Sequence, residues 1–156
     1  MTTQQATTTS NMDDYMYIPQ TEERFGAVEG TILAYIFRNQ ELENLARKMN
    51  TPYFHRRYGT SQSDVTLILP IVLNPNLTIR EFETVLQRHT LNHSVAPSQW
   101  MSRYRTAINE RGEQFTVQYI DGVLHLNDST VIGVVQCPIG TLYLIDQPMF
   151  LEVDMK

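Results

Sequence analysis

Between Val28 and Met49 the apolar side chains Ile32, Leu33, Ile36 and Phe37, then Leu42, Leu45, Ala46 and Met49, recur three and four residues apart, as helices with one buried face require. Asn39 interrupts the series, so the spacing predicts two short helices, one on each side of it. From Pro52 through Tyr58-Gly59-Thr60-Ser61-Gln62-Ser63 the chain turns polar, which predicts an exposed loop. The run Val65-Thr66-Leu67-Ile68-Leu69 then reads as a buried strand. After Asn74-Pro75-Asn76, Thr78 stands three residues before Glu81, the spacing at which each side chain satisfies the other's orphan backbone amide at a helix start. Ile79, Phe82, Val85, Leu86 and His89 share one face of the helix that follows.

From Phe115 onward the period changes to two. Phe115, Val117 and Tyr119 alternate with polar residues, Asp121-Gly122 supplies a hairpin turn, and Val123-Leu124-His125-Leu126 returns. Further strands are expected at residues 130–136 and 141–145, with Pro138 and Pro148 marking their limits. Helices in the first half and an antiparallel meander in the second predict an α+β domain. No linker rich in Gly, Pro or Ser divides the chain after residue 25 and no internal repeat is present, so the economical division is an N-terminal arm, residues 1–24, and one domain, residues 25–156.

The arm has its own chemistry. The first ten residues hold five threonines and two glutamines, a composition that buries too little apolar surface to offset its own ordering entropy. Order in such an arm has to come from a surface it docks on, either its own domain or a neighbouring subunit. Asp13-Asp14-Tyr15-Met16-Tyr17-Ile18-Pro19 follows, and Tyr15, Met16, Tyr17 and Ile18 suit an extended segment laid along a groove or added to a sheet edge.

Composition narrows the classes that remain. The chain has 156 residues, is 42% hydrophobic and 19% charged, and nets −5, which marks a globular protein and argues against a general affinity for nucleic-acid phosphates. The charge is uneven: residues 1–24 net −3, residues 25–110 net +2 and residues 111–156 net −4, a division that favours oriented packing against copies or partners. One cysteine, Cys137, excludes an internal disulfide. Residues 1–14 contain no Leu, Ile, Val, Phe, Tyr or Trp, so no export signal is expected, and the longest apolar stretch, residues 65–73, is far shorter than the roughly twenty residues of a membrane-crossing helix. Location inside a cell or within an assembled particle such as a virion is the expectation. Three sequons, beginning at Asn76, Asn92 and Asn127, are short enough to arise by chance and are expected to stay unmodified.

Candidate chemistry is thin. His89 and His93 are four residues apart, a spacing that can place two imidazoles on one metal. No third ligand lies nearby in sequence, and His89 continues an apolar helix face, so a buried histidine bonded to backbone is the expectation. Cys137 follows a β-branched strand without a neighbouring base, and reads as a small buried hydrophobe rather than a nucleophile. No nucleophile elbow, phosphate loop or dinucleotide fingerprint occurs, and no catalytic residue, metal or cofactor is expected. Arg56 and Arg57, with His55, Tyr53 and Tyr58, form the densest basic and aromatic cluster, and Arg103-Tyr104-Arg105 a second. Arginine both stacks and pairs with carboxylates, so Arg56, Arg57, Arg103 and Arg105 are candidate partner-binding residues beside the arm.

Several short segments, taken in order, resemble the fasciclin domain over roughly residues 28–151. Ile139-Gly140-Thr141-Leu142-Tyr143-Leu144-Ile145-Asp146, leading to Met149-Phe150-Leu151, is similar to the family's closing strand; Gly140, Ile145 and Asp146 match best, and Tyr143 replaces a histidine. Val65-Thr66-Leu67-Ile68-Leu69-Pro70 resembles its earlier buried strand, although Ile71-Val72 stand where Thr-Asn is usual. Leu86-Gln87-Arg88-His89 resembles the end of its central helix, and Gly112-Glu113-Gln114-Phe115-Thr116-Val117 its strand entry. The resemblance implies a β-rich wedge with a helical layer, and a non-enzymatic adhesion or interaction module. Without an export signal, that implies a structural subunit of a larger assembly, for instance a minor capsid protein of a large virus, bound to other subunits or to copies of itself. The competing expectations are a cell-surface adhesion domain and a protein whose catalytic or ligand site assembles only in three dimensions.

Overall fold

A computed structural model describes residues 27–102 and 105–150. The expected arm lies outside these residues. The described chain groups into two compact units, one ending at Ser63 and one beginning at Asp64.

The first unit is helical. Helix α1 (Ile32–Arg38) starts at Thr31, whose Oγ1 accepts the Ala34 amide at 3.3 Å, and stops at Asn39. The Asn39 Oδ1 accepts the Glu41 amide at 2.9 Å and opens a 3-10 turn, Gln40–Leu42, that runs into α2 (Glu43–Lys48). The break at Asn39 is therefore where the spacing puts it. The polar loop expected from Pro52 is corrected: Pro52–Tyr58 is helix α3, with Thr51 as its cap and proline at the first position. Phe54 and Tyr58, one turn apart, are fully buried and stack with ring centroids 6.1 Å apart. His55, Arg56 and Arg57 between them hide this short apolar face from a reading by composition.

The second unit carries a seven-stranded sheet. Its strands are β1 (Thr66–Pro70), β2 (Thr90–Leu91), β3 (Thr106–Ile108), β4 (Gln114–Ile120), β5 (Val123–Leu126), β6 (Ser129–Gln136) and β7 (Thr141–Ile145). The spatial order is β2-β1-β7-β6-β5-β4-β3. Strands β4 to β7 form the expected antiparallel meander, extended by β3, which the sequence pattern does not predict; β7 also pairs in parallel with β1, Ile68 opposite Tyr143, so the sheet is mixed. Asp121 and Gly122 have φ of 53° and 80°, the two left-handed positions of the hairpin turn that joins β4 to β5. Asn127, also at φ 53°, forms a second tight turn before β6.

Helix α4 (Ile79–Gln87) begins with the full reciprocal cap: Thr78 Oγ1 accepts the Glu81 amide at 3.0 Å, and Glu81 Oε1 accepts the Thr78 amide at 2.9 Å. Phe82, Val85 and Leu86 are buried, whereas Ile79, expected on the same face, is 65% exposed because the helix starts there, beyond the surface that covers its later turns. Helix α5 (Pro97–Ser102) was not legible in the periodicity, yet it supplies Trp100. The Trp100 ring lies 5.9 Å from that of Tyr143 at 77° and 6.4 Å from that of Phe115, in a core with Ile68, Val95, Leu126 and Ile145.

Two substitutions test this packing. Trp100→Ala should lower unfolding free energy by about 3–5 kcal/mol in urea titration, since the void is walled by rigid strands. Gly122→Ala meets no atom within 4 Å, so its cost is only that of a left-handed alanine, about 1 kcal/mol, and Gly122→Asn should recover most of it.

Candidate functional site

The basic cluster of the first unit is split by its helix. Arg56 is exposed, whereas Arg57 is half-buried with its guanidinium 5.9 Å from the Tyr58 ring centre. Tyr58 is enclosed and takes no part in any surface, and the His55 Nε2 lies 2.9 Å from Asn50 Oδ1. All three basic residues sit in the last turn of α3, where the helix dipole favours them. In the second unit Arg105 is exposed at the start of β3, and its carbonyl accepts the Val117 amide at 3.0 Å. Arg103, Tyr15, Met16, Tyr17 and Ile18 lie outside the described residues.

The paired histidines part company. His93 is exposed beyond the end of α4, and His89 is fully buried. The His89 Nδ1–H donates to the Val85 carbonyl at 2.7 Å, and Nε2 accepts the Met149 amide at 2.9 Å. Both ring nitrogens are thus committed, in one neutral tautomer, and burial pushes the imidazole down to about 4. Around it Phe150 packs edge-on at 5.8 Å, and the Arg88 guanidinium sits 4.3 Å over the Phe150 ring while Nε pairs with Glu113 at 2.8 Å. That bond to Arg88 holds the Glu113 carboxyl below the usual range. Asn127 Nδ2 donates to the Met149 carbonyl at 3.0 Å, and the Ser129 hydroxyl to that of Gln147 at 2.8 Å. The knot fastens residues 147–150 to the sheet and commits both nitrogens of His89 to backbone groups.

Other candidate groups are also placed. Among the described residues no three His, Cys, Asp or Glu side chains gather into a metal-holding group, and no helix is long and apolar enough to cross a membrane. Cys137 is half-buried at the end of β6, less enclosed than expected. Of the sequons, Asn127 has its side-chain amide engaged at both ends, with Thr116 and Met149, whereas Asn76 and Asn92 are exposed.

What the sequence reading missed is a groove between β5 and β6. The two strands pair only at His125 with Thr130 and Leu126 with Ser129. Opposite β7 the register then slips between Val131 and Gly133, leaving Ile132 as the extra residue of a bulge. A bulge bends its strand and tightens the twist, and β6 follows β7 away from β5. The space between them is about 310 Å³, lined by Pro97, Tyr119, Leu124, Val131, Ile132 and Val134 among others, with no charged side chain. Val123, Ile132 and Val134 are exposed on the same two strands, and Ile120 at the adjoining end of β4. Its signal in the sequence is the run Val131-Ile132-Gly133-Val134-Val135, which is apolar beyond what one buried face needs.

No family model and no curated protein matches the chain. Among solved structures it is similar to a FAS1 domain pair from the insect cell adhesion molecule fasciclin I, at TM-score 0.61 and 15% identity over 81% of this chain. The match takes in 52% of that chain, about half its length. The fold is therefore fasciclin-like and α+β, as the sequence motifs imply.

The His89 knot makes a pH prediction. An imidazole held near 4 in the folded protein and near its ordinary 6.5 when unfolded binds more protons unfolded in that interval. Its stabilisation is complete above pH 6.5 and is lost as pH falls toward 4, a change of up to about 3 kcal/mol. Urea titrations from pH 7 to 4 should show this slope in the wild type and a flatter one in His89→Leu; equal slopes would contradict the assignment.

Proposed function

We propose that this fasciclin-like chain is a non-enzymatic interaction module that serves as a structural subunit of a larger assembly. The observation that carries the reading is the apolar surface of the β4–β6 region, with Ile120, Val123, Ile132 and Val134 exposed together beside an uncharged groove. Large exposed apolar patches mark contact surfaces for other macromolecules. Adhesion, which the name of the similar fasciclin I protein states for that molecule, is the same use of a surface. A capsid is one assembly that would employ such a subunit.

In this reading the buried polar groups serve the fold. His89, Arg88, Glu113 and Asn109 bond to one another or to backbone, and Tyr143 spends its hydroxyl on the Val95 carbonyl at 2.6 Å. Binding then comes from surface complementarity. Arg56 on the first unit and Arg105 on the second, both exposed, are each available to pair with a partner's carboxylates, as arginine does at many binding hot spots. The arm supplies an extended apolar segment.

The test is deletion of residues 1–24, followed by circular dichroism and by sedimentation velocity over a concentration series. The expected result is an unchanged fold with association weakened by about tenfold or more, equivalent to about 1.4 kcal/mol. Association that survives the deletion intact removes the arm from the mechanism.

A further inference from the structure

We propose that the β5–β6 groove is the seat of the arm of a second copy, which inserts residues 15–19 as an added strand on the open edge of β6. This inference rests on the structural-subunit reading and names the site at which that reading operates.

The groove suits a single extended chain. Beyond Val131, β6 runs on to Gln136 paired with β7 on one side, while its ladder with β5 ended at Ser129 and Thr130. Its outer edge over residues 131–134 therefore lines the groove, and among the described residues no strand pairs with it there. A strand edge of this kind recruits an extended peptide through main-chain hydrogen bonds, with alternate side chains setting specificity. The floor offers Tyr119, Leu124 and Val131, a site for apolar and aromatic side chains.

Within residues 1–26 the one run of consecutive apolar or aromatic side chains is Tyr15-Met16-Tyr17-Ile18. In extended form Tyr15 and Tyr17 point one way and Met16 and Ile18 the other, so one pair enters the groove and the other faces outward. Pro19 lacks an amide and ends the ladder, as proline does at strand edges. The 26 residues before Ala27 reach up to roughly 90 Å when extended, against about 29 Å for the width of seven strands. Length therefore permits delivery from a neighbour.

A second copy is favoured over the chain's own arm by the surface around the groove. Five residues folded back in place would fill the cleft but leave Ile120, 50% exposed at the hairpin end of β4 beside the groove-lining Tyr119, in solvent. A neighbour that brings its arm also brings a body to cover it.

The experiment uses the full chain with Cys137→Ser throughout. A chain carrying Ile18→Cys is mixed with a differently tagged chain carrying Ile132→Cys and oxidised. The proposal expects a disulfide-linked heterodimer in much higher yield than with Val72→Cys, an exposed control position. It also expects Ile132→Lys to weaken self-association about as much as deleting residues 1–24. Equal yields at both positions, no heterodimer, or closure of an Ile18→Cys, Ile132→Cys chain only upon itself would each overturn it. If the deletion weakens association while Ile132→Lys does not, the arm still holds neighbours, and this groove is not where it does so. If neither change weakens it, the subunit reading fails along with the proposal.

Discussion

The second unit depends on β7 being paired on both sides. It lies parallel to β1 from Thr66 opposite Thr141 to Pro70 opposite Ile145, and antiparallel to β6. Without that central strand the ladder would break between β1 and β6, and the meander would be left to contacts such as the Glu110 amide donating to the Thr90 carbonyl of β2 at 2.7 Å. Tyr143 sits at the middle of it, fully buried, with its ring against Trp100 and its hydroxyl donating to the Val95 carbonyl. An unmade bond there would leave a polar atom stranded in the core, so the strand, the loop before α5 and the tryptophan are positioned as one piece.

The knot around His89 closes the same core from its far end. Its bonds run from helix to strap, from β4 entry to helix end, and from the Asn127 turn to the strap. Each buried partner is matched, so no member can change its protonation or leave without exposing another. This arrangement binds the apolar pair Met149 and Phe150 to the sheet through polar contacts, which is why acidity is expected to act on stability here and not on binding.

The parts of the fold that show in the sequence are those written in local chemistry. Thr78 and Glu81 announce the start of α4, Asp121-Gly122 announces the hairpin, and Asn39 announces the break between helices, because each acts on backbone groups within four residues. The misses have a different origin. Helix α3 rests on two aromatic residues, Phe54 and Tyr58, too few to show a period among arginines. The parallel pairing of β1 with β7 joins residues some 75 positions apart, and nothing local to Thr66 or Thr141 encodes it. The groove stayed hidden for a related reason: a bulge is a relation between two strands, and Ile132 is extra only when counted against Leu144 and Ile145. The fasciclin-like likeness is visible because its motifs span core strands, whereas the apolar surplus on β6 carries no period that separates an exposed face from a buried one.

That surplus is costly for an isolated chain. Open strand edges and exposed Ile and Val side chains invite indiscriminate pairing, and proteins ordinarily blunt such edges with charges or proline. Here the edge of β6 carries neither over Val131, Ile132, Gly133, Val134, Val135 and Gln136, but it is recessed beside β5 instead of standing at the rim of the sheet. The net charge of −5 adds a repulsion between copies that acts at range, over about 8–10 Å at ordinary salt, and yields only to a contact made at close quarters. Geometry and charge together thus favour contacts made at close quarters: the groove suits a thin apolar segment, and the exposed Ile120, Val123, Ile132 and Val134 beside it suit the body that brings one.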